Sequence, residues 1–562
     1  MNKTSTKSRC FHLLSPPLYP AYALYLGKAQ TMKTHKIDGV AHHFKKAAHH
    51  MKRHTHHIKL SLAIAPLLVA GALLVYVAVQ HFGAQKKVGP LNVILISIDS
   101  LRTDHMSLYG YTRKTTPNID DWAKNAAVFK NYFSTSYLTP ISEVSVHTGQ
   151  YPFTSGVVNF ESPLPNSIPT LGEILKQHGW QTASFGTSAE FSGYVAGINL
   201  SRGFDVYKYS HAGGDPFNGR GGNPAPQSIA WMKRAQQKDK PFFLWLTFGS
   251  AHWPYGQTEQ HHFSDPKYTG YFQTASYDTW NLVSYLYKGD LYGRYVKNTP
   301  LRPVAKLNKS DFNYLVGRYD DGILMTDRRL GQLLRFVKDS GLDENTVVIL
   351  ESEHGEGFNE RGYVMHYDIY DEQVHTPLII RAPKLKPQQV DALASGVDVL
   401  PTLLSILNIP APKNEGVNFL PYLQNGGEAP RDEVYITRTS LWERVMSSMR
   451  YEGLEGFYAI DSKEHFADTA IRDGDWKLIH RRSRLAMAQW SWFNILTGNH
   501  TLAPEYELYY LKDDPGEKKN VYDVENGNPT IVDLQDKLTA WEEKEFKTPL
   551  PHTTGPEIQP YF

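Results

Sequence analysis

Three stretches constrain the fold of this chain more than anything else in it: "NVILISID" (92–99), "FFLWLTFGSAH" (242–252) and "TVVILESEH" (346–354). Each is an almost unbroken apolar run that stops abruptly on a group able to bind a metal or move a proton. A run without polar alternation is the signature of a strand covered on both faces, not of a sheet with one wet side. Helical patterns lie between the runs. "TPNIDDWAKNAAVF" predicts a helix with Thr116 as its N-cap and Pro117 at its first position. "TLGEILKQHG" predicts a second that feeds the strand "WQTASFG", and "FNYLVGRYDDGILMTDRRLGQLLRFVKDSG" a long amphipathic third. Strands alternating with helices predict an α/β domain built on a mostly parallel central sheet. Past Phe419 the pattern changes: "WKLIHRR" and "YELYYLKDDPGEKKNV" read as short strands and a turn, and "TIVDLQDKLTAWEEKEF" as a helix. These predict a smaller α+β subdomain.

The N-terminal region has a different character. Residues 1–59 carry eleven Lys or Arg against the single acid Asp38, although the net charge of all 562 residues is only +2. Such a basic tail belongs at a membrane surface or on nucleic acid. The next segment decides for the membrane: Leu60–Val79 is a charge-free apolar run, close to the ~20 residues that cross a bilayer as a helix. Bases cluster before it (Lys45, Lys46, Lys52, Arg53, Lys59), which predicts a cytoplasmic N-terminus and everything beyond residue 80 outside. A buried core helix or a cleaved signal segment is the alternative. Nine of the 24 histidines fall in the tail without a repeated ligand spacing, and Met32 is an alternative start. The only cysteine is Cys10, so an exported domain would hold together without disulfides. The expected organisation is a tail at 1–59, a transmembrane helix at 60–80, a linker at 81–90, a catalytic domain at 91–425 with an insertion at 255–305, and a C-terminal subdomain at 426–562. Residues 255–305 are equally compatible with a surface loop.

In α/β sheets ligands gather at the carboxyl ends of the strands. Asp99, His252, Glu353 and His354 stand at three such ends, with His366 downstream. A lone carboxylate there often caps a helix, and a lone histidine is often a satisfied core residue. Several of them from separate strands argue for one site.

The chain from about 91 to 525 resembles the sulfatase family of the alkaline phosphatase superfamily. The resemblance is carried, in the family's order, by "ISIDSLRTDHMSLYGY", "TPNIDDWAKNAAVFKNYFST", "HTGQYP", "RGFDVY", "FGSAHWPY", "SEHGEGF", "MHYDIYDEQVHTPLII" and "ELYYLKDDPGEKKNV". It implies that family's fold and a metal-centred site that cleaves phosphate or sulfate esters through a covalent intermediate. Carried over by motif, Asp99, Glu353 and His354 would be metal ligands, and His252 and His366 would bind substrate oxygens or work as acid and base. Arg102 would support the substrate site, with a plain salt bridge as the alternative. The family's second aspartate is Ser100 here.

The nucleophile is where the departure is sharpest. Common sulfatases oxidise a Cys or Ser in "C-x-P-S-R" to formylglycine, and a Thr-Gly pair closes ten residues later. Counting back from Gly149 places Thr139 at that position, with Ile141 for the Pro and Glu143 for the Arg. A threonine carries a methyl on Cβ and cannot become formylglycine. It can act as a nucleophile when a metal acidifies its hydroxyl. "T-P-I-S-E" resembles the "T-x-x-S-E" of phosphoglycerol and lipoteichoic acid synthases in the same superfamily, and phosphoethanolamine transferases also use threonine. The resemblance thus implies phosphoryl transfer or hydrolysis through phospho-Thr139. One divalent metal with Asp99, Thr139, Glu353 and His354 as ligands suits zinc or manganese better than calcium. The expected substrate is an ester on an envelope lipid or glycan, with no nucleic acid involved, and the expected location a bacterial inner membrane. The alternatives are a sulfatase that works without formylglycine and a catalytically silent binding protein.

Overall fold

A computed structural model describes residues 89–546, except 160–161, 188–197, 210–221, 239, 254, 256–259, 275–285, 288–289, 293–302, 439–466, 483–503 and 526. The predicted membrane segment at 60–80 and the basic tail lie outside the described residues. Among the described residues no helix is long and apolar enough to cross a membrane.

Eight strands form the central sheet: β1 (Asn92–Ile98), β2 (Ala127–Phe133), β3 (Gln181–Gly186), β4 (Val206–Tyr209), β5 (Phe242–Phe248), β6 (Thr346–Glu351), β7 (Leu378–Arg381) and β8 (Gln388–Ser395). Their spatial order is β8-β2-β7-β6-β1-β5-β3-β4, and every neighbouring pair is parallel except those made by β7. The three apolar runs are the middle of this sheet. β1 lies between β5 and β6, with Ser97 opposite both Thr247 and Glu351.

Helices cover both faces, which is why the central runs tolerate no polar alternation. Along β1, Val93 and Leu95 enter one core while Ile94, Ile96 and Ile98 enter the other. The first core is closed by Ile141 and Val144 of α2 (Thr139–Thr148), Leu171 and Leu175 of α3 (Leu171–Gln177), and Leu400 and Leu403 of α6 (Val399–Ile406). The second is closed by Ile119 of α1 (Pro117–Ala123), Trp231 and Met232 of α4 (Ala225–Ala235), and Leu315, Ile323 and Leu330 of α5 (Lys309–Asp339). Two helix starts are legible in the residues themselves: Pro117 opens α1, and Thr170 caps α3 through a capping box with Glu173.

The expected helix at 116–129 is corrected. It stops at Ala123, and Ala127–Phe133 is instead strand β2, lying between β7 and β8. The apolar cluster Ala127, Val128, Phe129, Tyr132 and Phe133 is worth more inside the sheet than on a one-sided helix.

A second, antiparallel sheet has the order β9 (Glu433–Arg438), β10 (Asp468–Asp473), β11 (Trp476–His480) and β12 (Tyr506–Tyr510). Helix α7 (Pro529–Phe546) packs Ile531, Leu534, Leu538 and Trp541 on Ile471, Leu478 and Leu508 of this sheet. The described parts of 255–305 lean on α5: Tyr268 stacks on Tyr314 at 3.9 Å between ring centroids.

Candidate active site

Helix α2 is the piece that presents Thr139. All ten of its residues are buried, Thr139 opens it, and Pro140 beside it gives up an amide that no intrahelical bond would have used. At its other end Gly149 takes a left-handed conformation with φ +67°, and a Cβ there would meet Asn414 Cβ at 2.9 Å. The helix is thus locked at both ends, with the partial positive charge of its first turn on Thr139.

Three strand ends deliver the rest. Asp99 follows β1, His252 follows β5, and Glu353 and His354 follow β6; all four are buried. The Thr139 Oγ1 lies 2.8 Å from Nε2 of His354. The Nδ1 of His354 is 2.9 Å from the carbonyl of Gly355. A carbonyl can only accept, so Nδ1 carries the proton and Nε2 is the ring atom that faces the threonine hydroxyl. That Nε2 is also 3.8 Å from Asp99 Oδ1. His252 is fixed in the same way, with Nδ1 donating to the carbonyl of Trp253 at 2.7 Å. His366 lies tilted against His354 at 4.0 Å between ring centroids and 4.9 Å from His252. The structure therefore brings Thr139, Asp99, His252, Glu353, His354 and His366 into one cluster.

Arg102 takes part differently. Its guanidinium is engaged by Asp104 at 2.8 Å, Glu360 at 2.6 Å and the Glu356 carbonyl at 2.8 Å. These bonds tie the segment after β1 to the loop that carries Glu356. Two positive φ values outside glycine flank the site, Ser100 at 60° beside Asp99 and Met365 at 74° beside His366. Such conformations cost about 1–3 kcal/mol each and persist only where the surroundings impose them. Tyr319 does so at Ser100, donating to its carbonyl at 2.7 Å and accepting from the Arg102 amide at 3.0 Å.

The ligand atoms of Asp99, Glu353 and His354 all lie within 4.8 Å of one another. Neither carboxylate oxygen of Glu353 has a hydrogen-bond partner of normal geometry. Burial, then Asp99, Glu143 and Glu351 in that order, push the Glu353 carboxyl well above its usual range. A buried carboxylate without donors beside an imidazole lone pair is a donor set that fits a divalent cation.

Sequence reasoning missed three residues. Glu356 holds Nδ1 of His366 at 3.1 Å. Glu143 sits one turn into α2, where burial and then Glu351 push its carboxyl well up. Glu351 ends β6, and burial pushes it up to about 8. The available signal was spacing: 139 and 143 share a helix face, and 351 and 353 share a strand side.

This αβα sandwich, with Thr139 opening α2 and acidic and histidine side chains at its strand ends, is that of the alkaline phosphatase superfamily. Within it, the chain belongs to the sulfatase family: the family model described as Sulfatase matches residues 91–409. A second model, described as N-sulphoglucosamine sulphohydrolase, C-terminal, matches residues 359–544. An ulvan-active sulfatase of Formosa agariphila is 25% identical over 78% of this chain and 74% of its own length. The crystal structure of a phosphonate monoester hydrolase of Agrobacterium radiobacter superposes with a TM-score of 0.60 at 20% identity, over 81% of this chain and 96% of that one. A protein solved in complex with its substrate D-glucosamine-2-N,6-O-disulfate superposes with a TM-score of 0.57 at 20% identity, over 83% of this chain and all of that one. These two solved structures share the fold.

Proposed function

We propose that this sulfatase-family enzyme cleaves or transfers a phosphoryl ester group through a covalent phospho-threonine on Thr139. The observation that carries the reading is the 2.8 Å contact of Thr139 Oγ1 with the His354 lone pair, inside a buried cluster of metal-ligand type. A divalent ion, zinc or manganese before calcium, would be held by Asp99, Glu353 and His354 with the Thr139 hydroxyl, and would acidify that hydroxyl and offset oxyanion charge. The chain's own groups do the rest. His354, clamped through Nδ1, would turn its single Nε2 lone pair from the threonine hydroxyl to the ion when one is bound, and the Thr139 proton passes to solvent, leaving the oxygen free for in-line attack. His252 and His366 contact the equatorial oxygens, and one of them protonates the leaving oxygen as its bond to phosphorus breaks. Water, or a hydroxyl on an envelope lipid or glycan, then takes the phosphoryl group from Thr139. Arg102 and Glu356 hold the loops in place. The run Leu60–Val79 anchors the enzyme in the inner membrane, with the catalytic domain outside the cytoplasm.

A second reading is supported by the family and its curated relatives: hydrolysis of a sulfate ester on a glycan by the same groups, without formylglycine. Full-length protein in detergent, loaded in turn with zinc, manganese and calcium, separates the two. Turnover of aryl phosphate mono- and diesters exceeding that of aryl sulfate, and lost in Thr139→Ala, is the expected result. Aryl sulfate turnover that survives Thr139→Ala overturns the threonine mechanism.

A further inference from the structure

Beneath the nucleophile lies a group of side chains that the phosphoryl chemistry does not use. Thr139, Glu143 and His147 recur every fourth residue on α2, so one buried face carries all three. Glu351, the last residue of β6, and Glu353, two residues beyond it, both reach this helix face. Helix stripe and strand stripe meet: the ligand atoms of Glu143, Glu351 and Glu353 lie within 4.8 Å of one another. Glu143, Glu351 and His147 are 0% exposed and Glu353 is 1% exposed. None of the six carboxylate oxygens has a hydrogen bond of normal geometry; the Ser97 hydroxyl beside Glu143 and Glu351 and the Glu353 amide are the nearby donors.

Three carboxyls packed this way either keep their protons, the direction in which burial pushes all three, or need a cation, because an unpaired buried carboxylate costs several kcal/mol. Among the described residues no Arg or Lys forms an ion pair with any of them; the one basic neighbour is His147, with Nε2 at 3.7 Å from Glu143 Oε2. That histidine has neither ring nitrogen hydrogen-bonded and packs on Trp245 at 4.3 Å. Burial pushes its pKa down to about 3, so it is neutral and brings no charge. What it brings is Nε2 facing the acidic cluster, which in the Nδ1–H tautomer offers that cluster a lone pair. The position that holds Arg in the formylglycine motif is Glu143 here, so the cation that a common sulfatase supplies as a side chain is missing from this one.

We propose that Glu143, Glu351 and Glu353, with His147 beside them, hold a second divalent cation under the first turn of α2, and that Glu353 bridges it to the site of Asp99 and His354. Three carboxylates and an imidazole suit manganese or zinc. The ion takes the place of the absent arginine, neutralises the buried acids and pins the turn that carries Thr139.

Metal stoichiometry tests this without any substrate, so it stands or falls apart from the phosphoryl reading. Full-length protein is stripped with a chelator, equilibrated with Mn2+ or Zn2+, and assayed for bound metal per chain by elemental mass spectrometry. Glu351→Gln and Glu143→Gln are each expected to bind one equivalent fewer than wild type. In the manganese form, electron paramagnetic resonance of wild type is expected to show an exchange-coupled pair, as a shared carboxylate requires. Folded variants that bind as much metal as wild type overturn the proposal, and metal held by the His-rich tail would give that result. Should both variants fail to fold, the wild-type spectrum decides: at saturating manganese, only isolated ions overturn it.

Discussion

At the scale of single residues, the site separates groups that react from groups that aim them. Thr139→Ser keeps a hydroxyl at the N-terminus of α2 and is expected to retain measurable turnover, while Thr139→Ala is expected to lose about 10³-fold or more in kcat; comparing kcat of the two on an aryl phosphate checks this. Glu356 touches no reacting atom but holds Nδ1 of His366. Glu356→Gln is expected to lower kcat by about 10–100-fold and to move the limb of the pH–rate profile that His366 governs. A variant with reduced kcat and an unmoved profile would make Glu356 purely structural. Asp99, His252, Glu353 and His354 could be picked out because strand ends are where chemistry collects, and His366, in a loop, only through the family motif. Glu143, Glu351 and Glu356 were not, since no local pattern tells which buried faces meet.

At the scale of elements, α2 acts through its ends. The left-handed Gly149 stops the helix where Asn414 leaves no room for a side chain. Gly149→Ala is expected to cost about 1–2 kcal/mol from backbone alone, more from the contact, and to lower the unfolding midpoint of the protein. An unchanged midpoint would mean that the helix end relaxes freely. Elements with one unambiguous period, such as α5 and the runs of β1, β5 and β6, could be read from sequence. β2 could not, because "NAAVFKNYF" fits a continuing helix equally well until β7 and β8 are there to receive it on both edges.

At the scale of the whole molecule, the C-terminal subdomain is a buttress for the site. The Thr437 amide bonds to the Thr135 carbonyl at 2.8 Å, just ahead of Thr139, and Arg438 Nε bonds to the Tyr367 carbonyl at 2.9 Å, just after His366. Asp371 accepts Arg472 at 2.5 Å and Lys477 at 2.7 Å, both from the second sheet. Burial alone would raise the Asp371 carboxyl, but Lys477 and Arg472 hold it below its usual range. A carboxylate held below its unfolded value, about 3.9, adds stability above that pH and loses it as pH falls through the folded value. Asp371→Asn is therefore expected to cost about 3 kcal/mol at pH 7, and the gap to wild type to close progressively below pH 4. Thermal unfolding of both from pH 7 down to the lowest pH at which the protein stays folded checks this; a gap that does not narrow at all below pH 4 would assign the loss to packing.

The sequence alone determined the αβα plan, because uninterrupted apolar strands can be stable only when covered on both faces, and it excluded formylglycine at position 139, because a β-methyl rules out the aldehyde. The antiparallel insertion of β7, the second sheet's grip on the His366 loop and the meeting of Glu143 with Glu351 and Glu353 were decided by tertiary structure. Each is a contact between residues distant in sequence, set by how the layers pack and invisible to any local period.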